Sequence, residues 1–217
     1  MLELRHLNAH YGQAQALFDI SLQVPLGSMV LVQGLNGAGK STLLKSAMGL
    51  MPQVSGQVLW QGEDISGLAP HRRSAKGMGY VPEDRRLFAA LTVRQNLEIA
   101  VPQNSKAQTS QVTAIGLEDV LNLFPGLRAM LDRPAAQMSG GEQQMLALGR
   151  TLMTQAQMLL LDEPCEGIAP VLVQAIAQAL AKLKNQGFTL LIAEQNQTLA
   201  SLADQVLHLS AGTLIQP

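Results

Sequence analysis

The stretch Gly34-Leu35-Asn36-Gly37-Ala38-Gly39-Lys40-Ser41-Thr42 decides the fold of this chain. It matches the pattern G-x-x-x-x-G-K-[ST] at every position. The apolar residues 29–32 before it predict a buried strand, and residues 41–50 after it predict a helix. A glycine-rich turn between a strand and a helix is the setting in which this pattern binds phosphate groups.

The amino end of a helix attracts phosphate because its first N–H groups are unpaired and carry partial positive charge. Glycines let the backbone wrap closely around the anion and take conformations closed to other residues. Lys40 is expected at the outer phosphates, Ser41 at Mg²⁺ and Thr42 near the inner phosphate. The alternative interpretation is a glycine-rich turn between a strand and a helix whose lysine is merely solvated. The complete match to the motif and to both flanking elements argues against it. The candidate phosphate-binding residues are Gly34, Asn36, Gly37, Ala38, Gly39, Lys40, Ser41 and Thr42.

The composition favours one α/β domain. Of the 217 residues, 47% are hydrophobic and 14% charged, which suits a buried core and argues against disorder. The net charge of −1 shows no basic excess, and we expect no nucleic-acid partner. The single cysteine, Cys165, rules out an internal disulfide and suits a reducing compartment. We find no signal peptide and no apolar run near the ~18 residues of a membrane span, so a membrane role would need a partner.

The N-terminal part predicts an antiparallel β layer. Residues 2–11 and 17–24 alternate between apolar and polar side chains, as in short half-buried strands. Tyr11, in the connection, either stacks on a flat ligand or packs against the hairpin, and both are consistent with its apolar face. Residues 56–62 predict another edge strand, in which Trp60 is interpreted as packed.

A polar region and a helical region follow. Residues 70–76 predict a short helix with a solvated face formed by His71, Arg72 and Arg73. Residues 78–81 predict a strand, and the charged residues 82–86 after it form either a ligand site at a strand end or an ordinary polar loop. Residues 91–137 predict a helical insertion. Residues 92–97 begin one helix, residues 103–110 form a polar joint and residues 112–124 form a second helix.

The motif Ser139-Gly140-Gly141-Glu142-Gln143-Gln144 predicts the start of a helix. Ser139 and Glu142 have capping-box spacing. Gly140 and Gly141 are unexpected in a first turn, where each costs ~1 kcal/mol relative to alanine. An anion that approaches these N–H groups would account for them.

The run Met158-Leu159-Leu160-Leu161-Asp162-Glu163-Pro164 predicts a buried parallel strand that ends in two carboxylates. Neighbouring strand residues point to opposite faces, so the two acids need different roles. Asp162 suits Mg²⁺ binding through water, and Glu163 suits the activation of a water that attacks a γ-phosphate. The remaining elements are a helix at 171–184, a strand at 188–193, a helix at 197–203 and strands at 206–209 and 213–215. His6, His10 and His208 lack metal-ligand spacing and are interpreted as structural.

Together these motifs resemble those of ABC transporter ATPase subunits, over nearly the whole chain. The resemblance rests on the phosphate loop, on residues 138–144 as the ABC signature and on residues 161–164 as the Walker B motif. It implies an α/β P-loop NTPase core with a mostly parallel sheet, an N-terminal antiparallel β layer and an inserted helical subdomain. Within the single domain 1–217, the core would be 1–90 and 138–217, and the subdomain 91–137. Tyr11 falls at the adenine-stacking position, and ATP and Mg²⁺ are the implied ligands.

A closer resemblance is to the ATPases of branched-chain amino-acid importers, at residues 81–88, 91–93, 139–149, 166–170 and 193–196. Three residues depart from the general family pattern: Glu83 replaces the Q-loop glutamine, Ala169 the D-loop aspartate and Gln195 the switch histidine. Gln195 can hydrogen-bond a γ-phosphate but cannot gain a charge near neutral pH. Glu83 could bind Mg²⁺, and would repel phosphate unless the metal lies between them.

The family resemblance implies a head-to-tail pair of ATPase subunits, identical or different. Glu163 and Gln195 would be catalytic, and Ser139, Gly140, Gly141 and Glu142 would contact nucleotide on the second subunit. It also implies permease subunits, a solute-binding protein acting through them, and a cytoplasmic location on the inner face of the plasma membrane. Three alternatives stay open: an importer ATPase for urea or short amides, an ABC ATPase acting on DNA or ribosomes, and a nucleotide-binding regulator.

Overall fold

The computed structural model describes residues 1–102, 114–195 and 197–215. In these ranges the chain forms a four-stranded antiparallel sheet, a six-stranded mostly parallel sheet and seven α-helices. The predicted α/β class with an N-terminal antiparallel layer is confirmed. No helix in the described ranges is both long and apolar enough to cross a membrane.

The antiparallel sheet consists of β1 (Leu2–Tyr11), β2 (Ala14–Val24), β4 (Gln53–Trp60) and β5 (Glu63–Asp64). The spatial order is β2-β1-β4-β5. The expectation that β4 is an edge strand is wrong, because the short β5 pairs with its outer side. Trp60 is buried and donates its indole N–H to the Lys76 carbonyl oxygen at 2.9 Å, so its packed role is confirmed.

The larger sheet consists of β3 (Met29–Gln33), β6 (Met78–Val81), β7 (Met158–Asp162), β8 (Thr189–Ala193), β9 (Gln205–Ser210) and β10 (Thr213–Ile215). Its order is β10-β9-β3-β8-β7-β6. All neighbours are parallel except β10, which runs antiparallel to β9. Every residue of β7 and β8 is buried, as their continuous apolar runs predicted. The carboxyl ends of β3, β6, β7 and β8 therefore meet at one edge of the sheet.

The helices are α1 (Lys40–Met48), α2 (Pro70–Ala75), α3 (Val93–Glu98), α4 (Leu117–Leu123), α5 (Gly140–Met153), α6 (Pro170–Asn185) and α7 (Gln197–Ala200). Short 3-10 helices span Pro125–Met130 and Ala135–Gln137. One apolar core joins the antiparallel sheet, α1 and one face of the larger sheet. A second core joins the opposite face to α3, α4, α5 and α6. Because α1 is held in the first core, the loop that precedes it has a fixed position at the sheet edge.

Three predicted helices differ from the structure by two or more residues at one end. The helix expected at 112–124 begins only at Leu117, because Gly116 is extended and donates its N–H to the Asp119 carboxylate at 2.8 Å. The last helix ends at Ala200 rather than at residue 203. The helix after the phosphate loop covers Lys40–Met48 rather than 41–50, and ends at Gly49, whose φ is 78°. The polar joint expected at 103–110 lies outside the described residues.

Arg73 is buried, and the expectation that it faces solvent is wrong. Its guanidinium donates to the carbonyl oxygens of Ser46, Ala47, Ser66 and Leu68 at 3.2, 2.7, 2.8 and 3.0 Å. The first two carbonyls belong to the last turn of α1, where a helix leaves oxygens unpaired and favours a cation. Arg73 therefore fixes the carboxyl end of the helix whose amino end forms the phosphate loop.

Replacing Arg73 by methionine should lower the free energy of unfolding by ~3 kcal/mol, because four carbonyl groups lose a charged donor in a buried site. Urea unfolding followed by circular dichroism measures the change. The matched control is Arg72→Met, since Arg72 is exposed on the same helix and should change stability by less than ~0.5 kcal/mol. Equal effects of the two substitutions would contradict the capping role of Arg73.

Candidate active site

The phosphate loop connects β3 to α1 and uses its glycines in two ways. Gly37 and Gly39 have φ values of 81° and 106°, in the left-handed region that favours glycine. Gly34 does not have a positive φ, so backbone conformation does not explain why this position is a glycine. A Cβ at position 34 would instead collide with the carbonyl oxygen of Leu209. The close packing of β9 against the loop requires glycine there.

Lys40 stabilises the phosphate loop through hydrogen bonds to its backbone. Its side chain is buried, and Nζ donates to the carbonyl oxygens of Gly34 and Leu35 at 2.9 and 3.2 Å. Nζ also forms an ion pair with Oε1 of Glu163 at 2.9 Å. A buried ammonium is stable only when it is paired and hydrogen-bonded in this way. The first residue of α1 and the residue after β7 are thereby joined across the sheet edge.

Asp162 is buried at the end of β7 and accepts two hydroxyl hydrogen bonds. Ser41 Oγ donates to its Oδ1 at 2.8 Å, and Tyr80 Oη donates to its Oδ2 at 3.0 Å. Burial raises the pKa of the Asp162 carboxyl, although both hydroxyl bonds act in the opposite direction. Burial, followed by the charge of Asp162, also raises the pKa of Tyr80. Asp162 contacts Ser41 while Glu163 contacts Lys40, so the two acids have different partners, although Glu163 lies outside β7 and strand alternation is not the reason.

Glu163 has a strained backbone and a second carboxylic acid beside it. Its φ is 48°, and its N–H donates to the carbonyl oxygen of Ala193 at 2.8 Å. Burial raises the pKa of Glu163, but hydrogen bonds with Glu166 and Lys40 and the charge of Lys40 lower it below its ordinary value. The hydrogen bond to Glu163, followed by burial, raises the pKa of Glu166 to about 7. Below pH about 7, Glu163 is ionised and the shared proton resides on Glu166.

The raised pKa of Glu166 predicts a pH-dependent stability. Between its ordinary pKa of 4.5 and about 7, the folded protein keeps a proton that the unfolded chain has lost. The free energy of unfolding contributed by this group therefore falls as the pH rises through this range. We expect wild type to lose stability relative to Glu166→Gln as the pH rises from about 4.5 to about 7, by less than ~1 kcal/mol because Glu166 is exposed. Thermal melts of both proteins across this range measure it, and a pH-independent difference would contradict the shared proton.

An open cleft of ≈ 660 Å³ lies over the phosphate loop. Tyr11 lines it, is half-exposed, and places its hydroxyl 3.3 Å from Thr42 Oγ1. Three carboxylates line it as well, those of Glu83, Glu163 and Glu166. The loop contributes six predicted residues: Asn36, Gly37, Gly39, Lys40, Ser41 and Thr42. The cleft thus combines an aromatic face, anion-binding groups and a cluster of acids.

Several predicted site residues do not line this cleft. Gly34 and Ala38 pack behind the loop, and Asp162 lies beneath Ser41. Gln195 instead donates from Nε2 to Oδ1 of Asn36 at 2.6 Å, so it contacts the phosphate loop at a residue that lines the cleft. The signature residues lie at the start of α5 and are not brought to the cleft of the same chain: Ser139, Gly140, Gly141 and Glu142.

The start of α5 has the predicted capping box. Ser139 N–H donates to Oε2 of Glu142 at 2.7 Å, and Glu142 N–H donates back to Ser139 Oγ at 3.4 Å. A Cβ at Gly141 would press against the side chain of Leu172 on α6, so close helix packing gives a second reason for glycine at this position. The expectation that an anion approaches the N–H groups of Gly140 and Gly141 stays a prediction. At Gly140 a Cβ would lie 3.3 Å from the Arg85 guanidinium.

Sequence reasoning missed some residues of the cleft. Glu166 had a signal, a second acid three residues after Glu163, that was not used. The other missed residues come from the β1–β2 hairpin and from the turn between β9 and β10, and their local sequence has no chemical signature: Gln15, Ala16, Phe18, Ala211 and Gly212. Phe18 is partly exposed and adds a second aromatic side chain to the cleft.

The donor atoms fit Mg²⁺ only together with phosphate oxygens. Ser41 Oγ and Asp162 Oδ1 already lie 2.8 Å apart at the base of the loop. In the part of the chain that the structure describes, no group of three or more His, Cys, Asp or Glu residues could hold a metal by itself. Mg²⁺ characteristically uses one or two protein oxygens, substrate phosphates and water, which this donor set allows.

The family model with the description "ABC transporter" matches residues 17–166. This match includes the phosphate loop, the start of α5 and the carboxylates after β7. The chain belongs to the ABC transporter ATPase family. It therefore binds and hydrolyses ATP as a subunit of such a transporter.

Three known proteins illustrate the similarity of this ABC ATPase. The high-affinity branched-chain amino acid transport ATP-binding protein BraG of Pseudomonas aeruginosa is 40% identical over 99% of this chain and 91% of its own length. The probable branched-chain amino acid transport ATP-binding protein LivF of Archaeoglobus fulgidus is 39% identical over 98% of this chain and 89% of its own. A crystal structure of the ADP conformation of an ABC transporter ATP-binding cassette is 28% identical, with a TM-score of 0.81, and covers 99% of this chain and 89% of its own.

Proposed function

We propose that this ABC ATPase drives the import of branched-chain or other hydrophobic amino acids. The observation that supports this cargo most directly is the similarity, over nearly the full length, to two ATPases of branched-chain amino-acid transport. As the ATPase of an importer, the chain would act in the cytoplasm, bound to permease subunits at the inner face of the membrane. A solute-binding protein would deliver the amino acid to that permease. No observation on this chain favours the DNA, ribosome or regulatory alternatives.

We further propose that ATP binds in the cleft over the phosphate loop. Tyr11 stacks on adenine, which suits its half-exposed ring beside Thr42. Loop N–H groups and Lys40 bind the phosphates. Bound Mg²⁺ would neutralise charge on the outer phosphates, held by Ser41 and Asp162, with Glu83 at the cleft as a further oxygen ligand.

Glu163 is the proposed general base. Its pKa is lowered overall, so it is ionised and able to accept a proton from the attacking water. Lys40, 2.9 Å away, keeps this charge beside the outer phosphates without leaving it unpaired. Gln195 is proposed to donate a hydrogen bond to the γ-phosphate, since its amide already contacts Asn36 of the loop. Ala169 stands where the family pattern has an aspartate, so this position has no carboxylate. Glu163 is therefore the only proton acceptor that we propose.

The signature residues have their proposed role on a second ATPase subunit, identical or different. Ser139, Gly140, Gly141 and Glu142 begin a capped 14-residue helix whose amino end suits a phosphate group. They do not line the cleft of their own chain, which is consistent with a site shared between two subunits. Within the domain, residues 91–137 would form the helical subdomain and residues 1–90 and 138–217 the core, with the permease bound near their junction.

Transport in reconstituted vesicles tests this function. The chain is assembled with its permease and partner ATPase, ATP is supplied on the cytoplasmic side, and uptake of radiolabelled leucine is measured with and without excess unlabelled leucine or urea. We expect uptake that needs ATP, competes with leucine alone and stops with Glu163→Gln. Uptake that competes with urea would identify the amide alternative. ATP hydrolysis without association with any permease would reject the transport function.

A further inference from the structure

Glu194 is a buried carboxylate at the carboxyl end of β8 that joins two loops of the active site. It is only 4% exposed. Its Oε2 accepts the backbone N–H of Cys165 at 2.9 Å, and its Oε1 accepts the backbone N–H of Gln195 at 2.8 Å. The first N–H belongs to the loop of Glu163, and the second belongs to the residue that contacts Asn36 of the phosphate loop.

The surroundings of Glu194 keep this arrangement rigid. Its own N–H donates to the carbonyl oxygen of Val32, next to the phosphate loop, at 3.1 Å. The Cys165 thiol also hydrogen-bonds the carboxylate, and burial, followed by the charge of Glu194, raises the pKa of that thiol to about 12. A charge-assisted hydrogen bond from an N–H group is about twice as strong as a neutral one. Glu194 therefore links two loops that are distant in sequence. Cys165 and Glu194 are 29 residues apart.

We infer that Glu194 is a positioning residue that aligns Glu163 and Gln195 for ATP hydrolysis. This inference rests on the proposed roles of those two residues. Glu163 leaves β7 with a φ of 48°, a conformation that the surrounding structure must maintain. Glu194 bonds a main-chain N–H group in each loop, so its loss would leave only the bond from Glu163 N–H to the Ala193 carbonyl and the pairing of β7 with β8 to hold the two loops together. Glu194 is not among the residues that line the cleft. It acts through the N–H groups of Cys165 and Gln195.

The test is Glu194→Gln in the assembled transporter. Glutamine keeps the shape but offers one accepting oxygen and one NH₂ group, so one of the two N–H bonds is lost. We expect kcat for ATP hydrolysis to fall about 10- to 100-fold, because a small misplacement of catalytic groups has effects of this size. The KM for ATP should stay within about twofold, because the phosphate loop and Tyr11 are unchanged.

A double-mutant cycle separates positioning from general stability. Because part of the effect of Glu194 acts through Gln195, Glu194→Gln should lower kcat by a smaller factor in the Gln195→Ala background than in wild type. Asp204→Asn is the matched control, since Asp204 accepts the N–H of Met29 at 2.8 Å at the opposite end of β3. It should lower the melting temperature and leave kcat unchanged.

Two results would overturn the inference. One is a Glu194→Gln protein that behaves like Asp204→Asn, with a lower melting temperature and normal kcat. The other is a full, multiplicative loss of kcat in both the wild-type and Gln195→Ala backgrounds. In either case wild type still hydrolyses ATP, so the proposed function stands. A wild-type complex that binds ATP without hydrolysing it would reject the proposed catalytic roles, and this inference with them.

Discussion

Replacing Glu163 by glutamine is expected to lower kcat for ATP hydrolysis by about 10²- to 10⁴-fold, because the reaction loses its general base. Glutamine keeps the size of the side chain but cannot take a proton from water. ATP binding should be retained or become tighter, since Lys40 no longer pairs with a carboxylate 2.9 Å away. Phosphate release and equilibrium binding of a fluorescent ATP analogue measure the two quantities separately.

Glu166→Gln is the control for this experiment. It removes an acid from the same cleft and leaves Glu163 and its bond to Lys40 in place. We expect kcat within about tenfold of wild type, which is less than the loss of a general base. If the two variants lost activity equally, the proton acceptor would not be Glu163 alone.

Replacing Lys40 by alanine should weaken ATP binding by about 10²- to 10³-fold, the effect of removing one partner of a buried, hydrogen-bonded charge pair. The substitution also takes a donor from the carbonyl oxygens of Gly34 and Leu35 and leaves Glu163 without its cation. The nucleotide-free protein should therefore melt at a lower temperature as well. Isothermal titration with ATP and thermal melts measure both effects.

Lys76→Ala is the matched control for Lys40→Ala. Lys76 forms an ion pair with Glu63 at 2.6 Å, in which Lys76 is partly exposed and Glu63 is exposed to solvent. A surface pair of this kind contributes at most ~1 kcal/mol, and the ATP cleft is elsewhere, so binding should be unchanged. Normal ATP affinity in Lys40→Ala would show that the phosphates are held by backbone N–H groups alone.

Local sequence patterns were enough to predict the parts of the site that depend on neighbouring residues. The loop before α1, the capping box at Ser139 and the buried run of β7 are each specified within about ten residues, because helix termini and strand burial depend on short-range spacing. The different partners of Asp162 and Glu163 were predicted from strand alternation, but β7 ends at Asp162 and the left-handed φ of Glu163 sets its direction instead.

The errors and omissions concern residues whose neighbours are distant in sequence. Arg73 belongs to a helix that looks solvated, yet its guanidinium reaches the last turn of α1. Gly141 is adjacent to a capping residue, yet the close approach of Leu172 of α6 also favours a residue without a side chain there. Neither partner is within helical spacing of the residue it constrains, so no periodicity could identify it.

The sequence by itself determined that a phosphate loop, two carboxylates after a buried strand and a capped helix start occur in one α/β chain, since each pattern is local. Only the tertiary structure decided how they meet. Parallel pairing of β3, β8 and β7 brings Lys40 within 2.9 Å of Glu163 and Ser41 within 2.8 Å of Asp162. The same packing places Glu194 between the two loops. These contacts depend on strand order and register. Both are established when side chains that are far apart in sequence pack into one core.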